Sequence, residues 1–140
     1  MGRPRGENTR CNGKWTEAEY RSFIKNQLRS ATRKWSPIQL CKKRANIARG
    51  LYKCECCGQE VPPTVFDEDK RKRVNNIYVD HIKPIIDPEI GWVSWDSTIE
   101  NMFCELDNLQ LLCGSCHKIK SQEEIEIAKL RRAKEKLNDK

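Results

Sequence analysis

Long apolar runs are missing from this 140-residue chain. No stretch approaches the roughly 18 consecutive apolar residues that cross a bilayer, so no membrane-spanning helix is expected. The opening segment MGRPRGENTRCNGKW has no apolar core, which argues against a secretory leader. Aromatic residues are scarce at 7%, and the hydrophobic set reaches 37% beside 34% charged residues. A core drawn from so little apolar surface is modest, and small cores commonly recruit a metal or disulfides. Histidine is rarer still, with two in the chain. The expectation is a soluble, cytoplasmic protein of one domain with an appended arm.

Acidic residues are nearly missing from positions 1–50, which hold 13 Lys and Arg against three Asp and Glu. Positions 51–140 reverse the balance with 14 basic and 17 acidic residues, leaving a net charge of +7. A basic N-terminal third beside a mildly acidic remainder suggests an element that binds a polyanion. A solubilising arm with ordinary charged helix faces is the plain alternative.

Residues 1–14 mix Pro, Gly, Arg and Asn without periodicity and read as a flexible basic arm. Residues 15–50 read as a basic helical hairpin. Thr16 with Glu19 forms a capping-box pattern, and Tyr20, Phe23, Ile24 and Leu28 follow at helical spacing, predicting a helix over 16–33. Ser36-Pro37 opens a second helix over 37–49, closed by Gly50. Its Lys42, Lys43 and Arg44, with Arg49, form a basic face suited to the phosphate backbone of duplex DNA. From Leu51 the texture changes to a cysteine-rich turn, then a polar, loop-like stretch through Arg73. Residues 76–82 and 108–112 carry β-branched and apolar residues that predict strands. Between them lie Pro84, Pro88, Trp92 and Trp95, and a short helix capped by Asp96 or Ser97 and running to about Phe103. The tryptophans read as core or loop anchors. Ser121 with Glu124 forms another capping box, predicting a charged C-terminal helix over 122–140.

Cys54-x-x-Cys57 and Cys113-x-x-Cys116 are two knuckles 55 residues apart, each able to offer two thiolates to one tetrahedral ion. In a reducing compartment, where lasting disulfides are rare, four cysteines so spaced predict a structural zinc with no open coordination position. A redox-active pair, or Cys56 serving in place of Cys54 or Cys57, are the alternatives. Cys11, Cys41, Cys56 and Cys104 read as bystander thiols. The interval between knuckles exceeds the roughly 15–20 residues of a plain zinc ribbon, so something substantial is inserted.

Both histidines fall inside or beside that insertion. Asp80-His81-Ile82-Lys83-Pro84 is followed by Asn108-Leu109-Gln110-Leu111-Leu112-Cys113-Gly114-Ser115-Cys116-His117, with Lys120 three positions on. This pattern strongly resembles the HNH endonuclease family over residues 51 to about 121, zinc knuckles included. The resemblance implies an α+β chain with a ββα-metal module: a β-hairpin carrying Asp80 and His81, and a helix carrying His117. The whole is then a nuclease module over 51–121 stapled by zinc, preceded by the basic helical pair and followed by the C-terminal helix. It also implies that Asn108 orients the loop bearing His81, and that cleavage of DNA leaves 3′-hydroxyl and 5′-phosphate ends.

The residue types suit that chemistry. Hydrolysis of a phosphodiester needs an activated water, a Lewis acid on the phosphate and stabilisation of the leaving oxygen. Asp80 and His117 offer a carboxylate oxygen and an imidazole nitrogen to a divalent ion, Mg²⁺ or Mn²⁺ first, with Ni²⁺ or Zn²⁺ compatible. His81 is the general base, and Asn108 its supporting residue. Lys120 shares a helix face with His117 and is a candidate phosphate contact. Glu105 and Asp107 read as ordinary loop acids. Adjacent strand residues point to opposite faces, so Asp80 and His81 converge only if the strand end is distorted. The expected partner is double-stranded DNA, cut by a monomer or weak dimer. The resemblance implies a phage or mobile-element setting, with a packaging or mobile-element partner and the host cytoplasm as the expected location. Two other readings stand beside this one: a zinc-stabilised DNA-binding protein without chemistry, and a subunit that cuts only within a larger assembly.

Overall fold

A computed structural model describes residues 5–138 and mixes α-helix with β-strand. It divides into two compact units, one ending at Lys34 and one beginning at Trp35. In the first, β1 (Asn8–Arg10) pairs antiparallel with β2 (Trp15–Thr16). The intervening turn takes three successive residues of positive φ, Cys11, Asn12 and Gly13. The expected arm is therefore a folded hairpin from Asn8 onward, while residues 1–4 of that arm lie outside the described ones. Helix α1 (Glu17–Ala31) starts from the capping box: Thr16 Oγ1 accepts the Glu19 N–H at 3.1 Å, and Glu19 Oε1 accepts the Thr16 N–H at 3.2 Å. Arg10 ties hairpin to helix through Glu17 at 2.8 Å and lies over the Tyr20 ring at 4.3 Å.

The second unit opens with α2 (Ser36–Ala45), whose Pro37 sits in the first turn where no N–H is needed. The predicted helix over 37–49 ends early. Asn46–Ala48 forms β3, which turns through Gly50 (φ +70°) into β4 (Leu51–Lys53). Gly50 therefore serves a hairpin, not a helix terminus, and α1 and α2 fall in different units, so residues 15–50 are not one helical domain. β5 (Glu60–Val61) completes a three-stranded antiparallel sheet on β4. The stretch expected to be loop-like forms a second hairpin, β6 (Thr64–Asp67) with β7 (Lys72–Asn75).

β8 (Ile77–His81) and β9 (Leu109–Cys113) pair antiparallel, with Ile77 opposite Cys113, Val79 opposite Leu111, Asp80 opposite Gln110 and His81 opposite Leu109. Between them lies α3 (Trp95–Met102), capped by Ser94, two positions before Asp96 and three before Ser97. α4 (Gly114–Asn138) follows β9 without a break. Ser121 is therefore interior to α4, and the expected boundary at 121–122 falls within one helix. No helix of the described residues is long and apolar enough to cross a membrane.

Alternation gives the β8–β9 ladder two unlike faces. Ile77, Val79 and His81 share one with Leu109, Leu111 and Cys113. On this side Leu109 and Leu111 pack with Cys41 and Ala45 of α2 into the main core. Tyr78 and Asp80 share the other with Gln110 and Leu112, and here α4 lies across the hairpin.

The outer side of β9 needs hydrogen-bond partners, because β8 occupies only one side. Glu55 Oε1 accepts the Leu111 N–H at 2.8 Å and Arg44 Nη2 at 2.8 Å, while Arg44 also donates to the Leu109 carbonyl at 2.9 Å. The Glu55 N–H donates to the Leu111 carbonyl at 2.8 Å. One carboxylate and one guanidinium thus close the strand edge. Burial opposes ionisation of Glu55, but the Arg44 hydrogen bond and the Leu111 N–H overcome it and hold its pKa below the ordinary value. Such a group stabilises the fold fully above its unfolded pKa, and the contribution is lost as pH falls through the lower folded value. Glu55→Ala is expected to cost about 1–3 kcal/mol, since a strand N–H and Arg44 lose their partner. Glu55→Gln is expected to flatten the acid limb of stability, read by urea melts between pH 3 and 7.

Candidate functional site

The four knuckle cysteines converge as expected. The sulfurs of Cys54, Cys57, Cys113 and Cys116 all lie within 4.8 Å of one another, with Cys57 and Cys113 at 3.8 Å. Tetrahedral ligation at a metal–sulfur distance of about 2.3 Å sets sulfur–sulfur edges of about 3.8 Å. The cluster therefore has the size and donor set for a metal ion such as zinc. The first knuckle turns through Gly58 at φ +77°, with its N–H on the Cys54 carbonyl at 2.9 Å. Gly114 differs in having no positive φ: a Cβ there would meet Asn76 Oδ1 at 2.9 Å, so a larger residue requires the Asn76 side chain to shift.

The cluster favours charge on sulfur unevenly. Burial opposes a Cys54 thiolate, yet N–H groups of Cys57, Cys113 and Cys56 directed at the sulfur bring the thiol down to about 6. Cys116 is pushed up by burial and by the three other ligand sulfurs and Cys56, so a cation is needed to charge all four. Cys56, weighed as a substitute ligand, is exposed and outside the four. Cys41 is fully buried, and burial together with the Glu55 carboxylate pushes its thiol up to about 11, as suits an unreactive core residue.

The second group of expected residues divides between the two ladder faces. On the α4 side, the His117 ring stacks on Tyr78 with centroids 4.1 Å apart and planes 8° from parallel. One turn on, Lys120 Nζ meets Asp80 Oδ2 at 2.7 Å, the His81 carbonyl at 2.8 Å and Glu124 Oε1 at 2.7 Å. Gln110 Nε2 also donates to Asp80 Oδ2 at 3.3 Å. Tyr78 and Asp80 are two apart on a strand, and His117 and Lys120 three apart on a helix, so Asp80 and His117 face the same seam. Burial works against the Lys120 ammonium, but Asp80 and Glu124 overcome it and raise its pKa.

His81 is on the other side. Its Nε2 lies 2.9 Å from the Met102 carbonyl at the end of α3. The strand pairs in register through His81, so the distortion expected to bring Asp80 and His81 together is not present. Asn108 ties down the segment that follows: its Oδ1 accepts the Lys83 N–H at 2.9 Å, its Nδ2 donates to the Lys83 carbonyl at 3.3 Å, and its own carbonyl accepts the Ile82 N–H at 2.8 Å.

Two of the five basic residues expected on phosphate are engaged internally: Arg44 at the edge of β9, and Lys120 at Asp80. Lys42, Lys43 and Arg49 are exposed. Four residues that the sequence reading passed over shape the site. Tyr78 and Gln110 flank Asp80 along and across the ladder, a relation readable from strand alternation once the register is known. Met102 and Glu55 gave no such signal, because each acts from a different element. Apart from the cysteines, no group of three or more potential metal ligands converges among the described residues.

Compared with family models, curated proteins and solved structures, the chain has no significant match.

Proposed function

We propose that this chain is a metal-dependent DNA endonuclease of the HNH type, with residues 77–81 and 109 onward as its ββα-metal module. The observation that carries the reading is the shared seam of Asp80 and His117, one on the hairpin and one on the helix that follows it. The seam fits a divalent ion in donor type, for Asp80 Oδ2 already accepts a cationic group at 2.7 Å. Asp80 and His117 would hold the ion through two positions and leave the others to water and phosphate. Such an ion, when bound, polarises the phosphate and neutralises the leaving oxygen.

The protein's own part is proton transfer. The Met102 carbonyl can only accept, so the neutral His81 ring carries its proton on Nε2 and presents Nδ1 as the base. Asn108 holds the backbone of Ile82 and Lys83, and with it the exit of the chain from His81. Because Asp80 and His81 are the last two residues of β8 and face opposite ways, the phosphate has to lie across the strand end. The lysines of α2 and Arg49 supply backbone affinity without reading sequence.

The same contacts support a second reading. Asp80 is neutralised by Lys120 and His117 is stacked on Tyr78, which a zinc-stabilised DNA-binding protein without chemistry would equally display. Supercoiled plasmid separates the two. Incubated with zinc-loaded protein and Mg²⁺, Mn²⁺ or Ni²⁺ added singly, it is expected to become relaxed or linear with at least one ion. Plasmid left intact in all three, but retarded on a gel, would overturn cleavage by the chain on its own.

A further inference from the structure

The Lys120 ammonium sits among three hard oxygen acceptors: Asp80 Oδ2, the His81 carbonyl and Glu124 Oε1, at 2.7, 2.8 and 2.7 Å. The Lys120 and Asp80 side chains are 23% and 20% exposed, so water screens the pair only partly. Carboxylate and carbonyl oxygens are also the donors that Mg²⁺ and Mn²⁺ select. We propose that Lys120 is an internal counter-cation which occupies the coordinating oxygen of Asp80 and competes with a divalent ion there. The inference rests on the assignment of Asp80 as a metal ligand.

An ion bound at about 2.1 Å from Asp80 Oδ2 and an ammonium at its present distance would repel each other from about 4 Å across one partly buried oxygen, so the ammonium opposes metal entry. The ammonium has a place to go. Glu124, one helical turn away, already accepts it at 2.7 Å and can retain it when Asp80 is taken. Lys120 is then a positioning residue that keeps Asp80 turned into the seam in the metal-free protein and sets the threshold for metal entry.

The test is Mn²⁺ binding to the zinc-loaded full chain, followed by loss of the free-ion electron paramagnetic resonance signal, with no DNA present. Lys120→Met removes the charge and keeps the length, and is expected to bind Mn²⁺ on the order of tenfold more tightly than the unmodified protein. Lys120→Gln serves if the methionine variant does not fold. Lys120→Arg, which retains the competing charge, is expected to stay within about threefold of the unmodified protein. Adding Asp80→Asn to Lys120→Met is expected to erase the gain. If binding depends on Asp80 but is unchanged or weaker without Lys120, the counter-cation role is overturned and the metal assignment stands. If no variant binds Mn²⁺ through Asp80, both fall together.

Discussion

Replacing Cys113 by serine is expected to unfold most of the second unit, whereas replacing Cys56 by serine leaves its thermal stability within about 0.5 kcal/mol of the unmodified chain. The difference follows from where the apolar surface is. Among the described residues the buried hydrophobic ones are few: Cys41, Ala45, Cys54, Met102, Leu109, Leu111, Leu112 and Cys113. They form a main cluster between α2 and β9, and a second made of Cys54, Leu112 and Cys113 with Val61 and Cys116 packed on it. Three of those five residues belong to the four-cysteine group. Without an ion it is a set of sulfurs with one acidic thiol among them, and the first knuckle is held to β9 by hydrogen bonds, the Cys113 N–H on Cys54 sulfur at 3.3 Å and the two between Glu55 and Leu111 at 2.8 Å.

Structural zinc contributes apparent free energies of about 10–16 kcal/mol in small zinc-binding peptides. A domain's whole net stability is about 5–15 kcal/mol. A core this thin cannot absorb a loss on that scale. The measurement is circular dichroism against temperature, paired with the amount of metal released to a chromogenic chelator. One ion per chain and a cooperative melt are expected for the unmodified protein and for Cys56→Ser. Loss of the ion together with the melt is expected for Cys113→Ser. A Cys113→Ser protein that melts at the original temperature would show that the cluster does not support the fold.

What was legible in the sequence was local. The Thr16–Glu19 box reads correctly because its two hydrogen bonds lie within one turn. The knuckle spacing reads correctly because two ligands per turn leave little choice of partner. Gly50 misleads because positive φ serves a hairpin turn as well as a helix terminus. Ser121 and Glu124 mislead because a capping box repeats the i, i+3 spacing found inside any helix; in α4 the acidic partner is instead used by Lys120. The β6–β7 hairpin was hidden by polarity. Arg73 bonds Thr64, and Asp67 accepts the N–H groups of Asp69 and Lys70 in the turn, so side chains rather than apolar alternation hold it. The Arg44–Glu55 closure of β9 could not be read, since it joins a helix, a knuckle and a strand through groups that look solvent-bound one at a time. The opposition of Asp80 and His81 was legible from alternation alone, and the regular ladder retains it.

The same opposition makes His81→Ala the most informative substitution for the proposed chemistry. A positioned general base contributes typically 10²–10⁴-fold to rate, so plasmid cleavage by His81→Ala is expected to fall by at least about a hundredfold. The fold should survive. The side chain lies at the end of β8, and its removal takes the partner from the carbonyl of buried Met102, a hydrogen bond of 2.9 Å, at a cost of about 1–3 kcal/mol. DNA affinity should survive as well, because the exposed Lys42, Lys43 and Arg49 are untouched, and phosphate contacts of that kind dominate sequence-independent binding. Mn²⁺ binding through Asp80 and His117 should be unaltered, since His81 faces the other side of the ladder. This combination of lost cleavage with retained fold, DNA binding and metal binding is what a proton acceptor would give and a structural histidine would not. Asn108→Ala is expected to show a milder loss, because it frees the Lys83 backbone without removing the base and keeps the carbonyl that holds Ile82. Cleavage by His81→Ala at the unmodified rate would remove the base from the proposed mechanism and leave the Asp80–His117 seam to work, if at all, with a water activated by metal alone.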